Sequence, residues 1–149
     1  MPQLPATVEI VQDRDPDRGP LEGLAAALRT LQGRADTAFA TACDVPLLVP
    51  AFVSRVIQLC DGYQAAVPFI GGFAEPLAAA YSVDVLASVE SLLAEGRLRP
   101  ALLCDLVPTR RITAEELSDV DPRLDSLANL NRPEDYRQAL EKAGFGRPD

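Results

Sequence analysis

Apolar residues recur at two spacings along this chain, and the two spacings predict helices and strands that alternate. Apolar positions three and four apart are typical of a helix with one buried face. They occur over residues 21–31, 50–60 and 83–95, and Pro133 with Glu134 and Asp135 predicts the start of a last helix. Residues 100–106 are apolar without a clear period, which indicates a further short helix.

Short apolar or alternating runs predict the strands. They span residues 7–12, 37–43, 64–70, 75–81, 107–113 and 125–130. Pro68 and Pro76 favour edge or irregular positions for their two strands, because proline has no N–H for a ladder. The alternation of strands and helices predicts one α/β domain over residues 1–149, with a mainly parallel sheet and functional groups at the carboxyl ends of strands.

Composition and charge exclude several classes of function. The chain has 149 residues, of which 48% are hydrophobic, and its net charge is -8. A hydrophobic fraction of this size allows a real core, whereas the acidic balance provides no general field for nucleic acid or an anionic membrane. The sequence has no apolar run long enough to span a bilayer and no signal-peptide pattern, so we expect a cytoplasmic protein.

Histidine is absent and the three cysteines are widely spaced, which narrows the possible chemistry. Without histidine the chain cannot form a Ser-His-Asp triad, a Cys-His pair or a histidine metal site. Cys43, Cys60 and Cys104 are an odd number, and the last two are expected to be reduced thiols in the core. The groups that remain available for catalysis or ligand binding are carboxylates, amides, arginines and backbone N–H groups.

The segment from Asp13 to Gly23 connects a predicted strand to a helix start and contains the motif GPLEG. Gly19 and Gly23 lie on either side of Pro20 and let the backbone approach a ligand, and a helix N-terminus attracts anions. A nucleotide would fit there. An acidic turn in which proline and glycine only end the secondary structure is the simpler interpretation of this spacing.

Asp44 follows a predicted buried strand in the motif CDVP. A carboxylate at a strand end is a suitable magnesium ligand, and the proline after it fixes the turn. An aspartate that only caps the turn before Pro46 is an equally good interpretation.

Asn129 and Asn131 lie two residues apart before the last helix. On a strand they would face the same side and present two amides, which suits the edge of a heterocycle. Asn131 could instead cap the final helix.

Arg97 and Arg99 lie in the segment GRLR, with Arg110 and Arg111 farther along. Such arginines could bind a phosphate. Capping of a helix C-terminus, or pairing with the many acids of this chain, is the more common role.

The order of these motifs resembles one enzyme family. GPLEG, CDVP and NLNRPEDY, between the expected strands and helices, resemble the molybdenum cofactor guanylyltransferases from residue 8 to the last helix. The resemblance implies a Rossmann-like three-layer sandwich of the GT-A nucleotidyltransferase type. It also implies transfer of GMP from GTP to molybdopterin or its molybdenum form, with release of pyrophosphate and with Mg²⁺ as cofactor.

The resemblance also assigns roles to residues. Nucleotide binding falls on Asp13, Gly19, Pro20, Leu21, Gly23 and Asp44, and Asp44 is both the metal ligand and the catalytic residue. Binding of the pterin acceptor falls on Asn129, Asn131, Arg97 and Arg99. GTP and molybdopterin are thus the implied substrates, and neither nucleic acid nor a membrane is an implied partner.

Family members begin with a glycine-rich loop of the LAGGxSxRMGxxK kind, and no segment here resembles it. The expected fold is therefore incomplete at its N-terminal side. Three alternatives follow. The chain could be a non-catalytic module that forms homo-oligomers through an exposed sheet edge, a component that associates with other molybdenum cofactor biosynthesis proteins, or a cytidylyltransferase or other nucleotidyltransferase of the same fold.

Overall fold

A computed structural model describes residues 5–130 and 133–145. Its helices are α1 (Pro20–Leu31), α2 (Pro50–Gln58), α3 (Leu86–Ala94), α4 (Leu103–Leu106), α5 (Ala114–Leu117) and α6 (Pro133–Lys142). Its strands are β1 (Thr37–Thr41), β2 (Ala65–Ile70), β3 (Phe73–Ala74), β4 (Ala78–Ser82) and β5 (Thr109–Ile112). Short 3₁₀ turns, Val83–Val85 and Pro100–Leu102, lead into α3 and α4. Within the described ranges no helix is both long enough and apolar enough to cross a membrane.

Strand β4 lies between β1 and β2 and is antiparallel to both. β5 pairs in parallel with β2, and β3 folds back on the end of β2. The predicted α/β class is confirmed, and β1, β2 and β5 run in one direction while β4 runs against them. The expectation of a mainly parallel sheet is wrong for the described residues, because β2 with β5 is the one parallel pairing among four. The reversal arises at Gly71 and Gly72, both at positive φ, because a tight turn cannot make the long crossover that a parallel pair needs.

The sheet separates two hydrophobic clusters, which gives the expected three layers. Successive strand residues face opposite sides. Ala79 and Tyr81 pack with α1 and α3, whereas Ala78 and Ala80 pack with α2 and α5. The Tyr81 hydroxyl donates to the Pro76 carbonyl at 2.8 Å, so its polar end is satisfied where the ring is buried.

Pro68 lies in a central strand, and the expected edge position for this segment is wrong. β2 is buried between β4 and β5. Its pairing with β4 covers only Ala65 and Ala66, so no N–H is needed from residue 68 on that side. The Pro68 carbonyl instead accepts a hydrogen bond from the Glu75 N–H at 2.9 Å.

The strand predicted over residues 7–12 is not formed. Val8 and Ile10 are 48% and 76% exposed, and no ladder partner for this segment is present in the part of the chain that the structure describes. Alternation of β-branched residues predicts a strand only if a neighbouring strand supplies hydrogen bonds and a surface to cover.

The strand predicted over residues 125–130 is also wrong. The Asp121 carboxylate accepts hydrogen bonds from the backbone N–H groups of Asp125 (3.1 Å) and Ser126 (2.8 Å), which holds a 3₁₀ turn, Asp125–Leu127, in place of a strand. Asn129 follows this turn in irregular backbone. The argument that two amides share one strand face therefore does not hold, and Asn131 lies outside the described residues.

Cys60 and Cys104 are buried free thiols, as predicted, and Cys43 is an exposed free thiol. Burial raises the pKa of both buried cysteines. Thiols of this kind are poor nucleophiles.

Helix α5 was not predicted, although its start signal is visible in the sequence. Thr113 and Glu116 form a capping box, in which the Glu116 carboxylate accepts from the Thr113 N–H at 2.9 Å. Glu116 also pairs with Arg110. The Thr113 N–H and the Arg110 guanidinium hold the pKa of Glu116 below its usual value.

We expect Glu116→Gln to lower stability at pH 7 by about 1 kcal/mol. A carboxylate whose pKa is lower in the folded state stabilises the protein above its unfolded pKa, and this contribution disappears as the pH falls through the folded pKa. The urea unfolding curves of mutant and wild type should therefore converge as the pH falls through the lowered pKa of Glu116. Glu115→Gln, at an exposed neighbour, serves as the control. A difference that stays constant with pH would contradict this role of the Glu116 charge.

Candidate nucleotide and acceptor site

The segments that carry Asp44 and Asn129 meet at the edge of the sheet where β1 ends. Asp44 is half-buried and lies in the turn after β1. Its backbone carbonyl accepts a hydrogen bond from the Leu130 N–H at 2.9 Å. The CDVP motif and the beginning of NLNRPEDY, far apart in sequence, are thus adjacent.

The GPLEG segment begins α1 at the same edge of the sheet. A short turn leads from the end of α1 directly into the start of β1, so the two elements are antiparallel and the first turn of α1 lies where β1 ends. Gly19 is the N-cap residue at φ +70°, a backbone conformation that glycine adopts without strain. Pro20 occupies the first helical position, which it favours.

The Asp13 carboxylate lies close to Gly23. A Cβ atom added to Gly23 would lie 3.8 Å from the Asp13 Oδ1 atom. The side chain of Leu21 is completely buried in the core. Only the backbone N–H of Leu21 is therefore available to a nucleotide, and Pro20 has no N–H to offer.

Glu22 is a buried carboxylate that the sequence did not single out as functional. It is 2% exposed and accepts from the backbone N–H of Arg14 at 3.4 Å and from Arg29 Nη1 at 3.1 Å. Arg29 Nε donates in turn to Glu90 on α3 at 2.8 Å, and this hydrogen bond raises the pKa of Arg29. The interactions among Glu22, Arg29 and Glu90 connect the loop before α1 to the contact between α1 and α3.

We expect Arg29→Ala to destabilise the protein by about 1–3 kcal/mol, because it leaves the buried Glu22 carboxylate without its cation. The double variant Glu22→Ala/Arg29→Ala should recover part of this loss, since it removes the unpaired charge. Urea denaturation of both variants at pH 7 provides the measurement. If the double variant is less stable than Arg29→Ala alone, the pair does not act in this way.

Arg97 and Arg99 follow the end of α3, which the segment before α1 contacts through Arg18. Arg18, in that segment, donates to the Leu93 carbonyl at the end of α3, the helix that these arginines follow. The backbone N–H of Arg97 bonds the Leu92 carbonyl at 2.9 Å, and its side chain pairs with Glu95 at 3.4 Å. No contact among the described residues joins either arginine to Asn129.

A cavity of about 140 Å³ brings Glu75 next to Asn129. It is lined by Ala42, Val45, Glu75, Pro76, Leu77, Ala78, Ser126, Leu127 and Asn129. Burial raises the pKa of Glu75. The sequence did not indicate Glu75 as a site residue, although it lies in the motif EPL directly before β4, where a carboxylate at a strand end could have been noticed.

Asp44 fits a magnesium site only together with a substrate. No group of three or more His, Cys, Asp or Glu side chains that could hold a metal is found among residues 5–130 and 133–145. Mg²⁺ commonly uses one or two carboxylates, with phosphates and water as its other ligands. Asp44 could hold the ion in that way.

The three-layer arrangement is a known fold. It superposes on the molybdopterin-guanine dinucleotide biosynthesis protein A of Archaeoglobus fulgidus with a TM-score of 0.75 and 24% identity, over 86% of this chain and 64% of that chain. The sequence pattern of the MobA-like NTP transferase domain matches residues 2–111, and the chain belongs to this family. The resemblance seen in the motifs is confirmed.

Relatives within the family carry a more specific description. A probable molybdenum cofactor guanylyltransferase of Methanothermobacter thermautotrophicus is 38% identical over 134 residues, which are 87% of this chain and 66% of that protein. A probable molybdenum cofactor guanylyltransferase of Methanosarcina mazei is 32% identical over 87% of this chain and 59% of its own length. The chain thus spans slightly less than two thirds of these relatives.

Proposed function

We propose that this chain is a nucleotidyltransferase of molybdenum cofactor biosynthesis that transfers GMP from GTP to molybdopterin or its molybdenum form. The observation that most supports this proposal is the hydrogen bond from the Leu130 N–H to the Asp44 carbonyl. It brings the candidate metal ligand and the candidate acceptor segment together at the edge of the sheet where the GPLEG loop begins α1.

In this proposal the first turn of α1 binds the phosphates of GTP. The Gly19 conformation leaves room beside the backbone, and the N–H groups and the helix dipole favour anions. Asp13 and Gly23 contact the nucleoside. Asp44 would hold Mg²⁺ against the phosphates, and the ion would neutralise charge that develops on them.

The acceptor would occupy the opposite side of Asp44, next to Asn129. Its terminal phosphate oxygen attacks the α-phosphorus of GTP, the bond between the α-phosphorus and the bridging oxygen breaks, and pyrophosphate leaves with the electron pair of that bond. Arg97 and Arg99 follow the end of α3 near the nucleotide loop, so we assign them to the acceptor phosphate and not to its heterocycle. Asn131 remains a proposed acceptor ligand. The protein mainly aligns the two substrates.

Isothermal titration of the chain with GTP and with CTP, each with Mg²⁺, tests the nucleotide half of the proposal. We expect saturable heat with GTP and at least about tenfold weaker binding of CTP. Transfer is then measured as pyrophosphate release that depends on added molybdopterin. The absence of heat above dilution at millimolar GTP would exclude a working nucleotide site in this chain, and equal binding of CTP would exclude selectivity for guanine.

A further inference from the structure

The cavity beside Asn129 has the features of a pocket for part of a ligand. Its volume of about 140 Å³ is well below that of a site for a whole cofactor, so it could enclose only one end of a larger molecule. Apolar residues form much of its wall, and Glu75, Ser126 and Asn129 are its polar lining residues. Few polar groups among apolar ones is the usual composition of a selective site.

The backbone of Glu75 is fixed on both sides. Its N–H donates to the Pro68 carbonyl at 2.9 Å, and its carbonyl accepts from the Ala78 N–H at 3.1 Å. The side chain is half-buried, and within the described ranges its carboxylate has no hydrogen-bond or ion-pair partner. Glu22, by contrast, is buried against Arg29. A carboxylate that loses water without gaining a partner costs free energy, which a ligand with N–H donors could recover.

The charge of the pocket limits the class of ligand. Neither lysine nor arginine lines this cavity, so the Glu75 carboxylate would repel a phosphate. Because a phosphate is disfavoured here, it would not complete the coordination of a metal ion as at Asp44, and Glu75 and Asn129 alone supply too few oxygen ligands. The ligand that best matches this cavity is therefore a neutral, planar group with N–H donors along one edge.

We propose that Glu75, with Asn129, selects the 2-amino-4-oxopyrimidine edge that guanine and pterin share. The ring N–H and the 2-amino group would donate in parallel to the two oxygens of Glu75, as the two N–H groups of an arginine do to a carboxylate. The Asn129 amide would donate to the 4-oxo group. The inference rests on the proposed function, because that function requires both heterocycles at this edge of the sheet.

Two pairs of ligands test the inference and show whether the pterin or the guanine nucleotide supplies the recognised edge. Pterin is compared with lumazine, which has an oxo group in place of the 2-amino group, and GTP is compared with inosine triphosphate, which lacks that amino group. The chain contains no tryptophan, so pteridine fluorescence anisotropy can be measured without tryptophan background. Calorimetry is used for the nucleotides.

We expect wild type to prefer the 2-amino compound in one pair by at least about tenfold, and Glu75→Gln to reduce this preference to about threefold or less. A preference for pterin assigns the pocket to the acceptor, and a preference for GTP assigns it to the nucleotide. Asn129→Ala should weaken binding of the preferred compound and of its analogue alike, since both carry the 4-oxo group. Glu115→Gln, at an exposed position, should match wild type.

Unfolding of Glu75→Gln is not expected to be the cause of a reduced preference. Burial raises the pKa of Glu75, so its ionised form is disfavoured in the folded chain, and the neutral glutamine is not expected to lower the melting temperature at pH 7. The inference is overturned if wild type shows no preference in either pair, or if Glu75→Gln keeps it. These titrations do not require transfer of GMP. A preference for the 2-amino compound without GMP transfer would therefore contradict the proposed function and leave this inference standing.

Discussion

Replacing Asp44 by asparagine is expected to reduce magnesium-dependent GMP transfer by about 100-fold or more while the fold is retained. Asparagine keeps the size of the side chain and removes the charge that would hold the ion. The fold uses the backbone carbonyl of Asp44, which accepts from the Leu130 N–H, and within the described residues its carboxylate has no partner. The melting temperature should therefore change little.

Asp61→Asn is the matched control for Asp44, because Asp61 is exposed and lies after α2, away from the GPLEG and CDVP segments. Pyrophosphate release is measured over a range of Mg²⁺ concentrations for wild type and both variants. Asp44→Asn should either abolish turnover or shift the half-saturating Mg²⁺ concentration upward. Turnover with an unchanged Mg²⁺ dependence would remove Asp44 from the metal site.

The largest loss of stability is expected for Phe52→Ala, at about 3–5 kcal/mol. Phe52 is fully buried on α2, and its ring meets that of Phe39 on β1 edge to face at 6.4 Å between centroids. The substitution removes this contact and leaves a cavity between the helix and the sheet. Small domains are commonly stable by only about 5–15 kcal/mol, so the variant would be close to unfolding at 37 °C.

Phe73→Ala provides the same chemical change at an exposed position. Phe73 is 76% exposed on β3, and we expect a change within about 0.5 kcal/mol. Urea denaturation of both variants, fitted with one common dependence of the unfolding free energy on urea concentration, gives the loss of stability at each position. Similar losses at the two positions would show that the core between α2 and the sheet is not packed as described.

Helices were predictable from the sequence because each carries its own signal. Regular apolar spacing is a local feature, and it identified both α1 and α3. The strand β1 was likewise visible as a run of small apolar residues. Local pattern is sufficient where the segment that buries a face also determines its own hydrogen bonds.

The failures all depend on partners that lie outside the misassigned segment itself. Residues 7–12 have the composition of a strand but no ladder in the described structure, and residues 125–130 are held as a turn by Asp121. Pro68 is central because its N–H is not required by β4. Strand pairing and side-chain capping of this kind are set by contacts with residues outside the segment, which the propensity of the segment does not contain.

The candidate site shows the same division. Asp44, Gly19 and Gly23 could be identified from short motifs. Glu22 and Glu75 were not identified in this way, because their importance comes from what surrounds them. Glu22 contacts an arginine two turns along the same face of α1, and Glu75 lines a cavity with few polar groups. Burial and pairing, more than residue type, separate these two glutamates from the exposed acids of the chain.

The position of β4 in the sheet has a consequence for how the chain folds. The register pairs Thr37, the first residue of β1, with Ser82, so the middle of the sheet closes only after α2, β2 and β3 have been synthesised. Contacts between segments so distant in sequence slow folding. During translation the apolar faces of α1, β1 and α2 would stay uncovered until β4 emerges from the ribosome. In that interval the chain would depend most on chaperones.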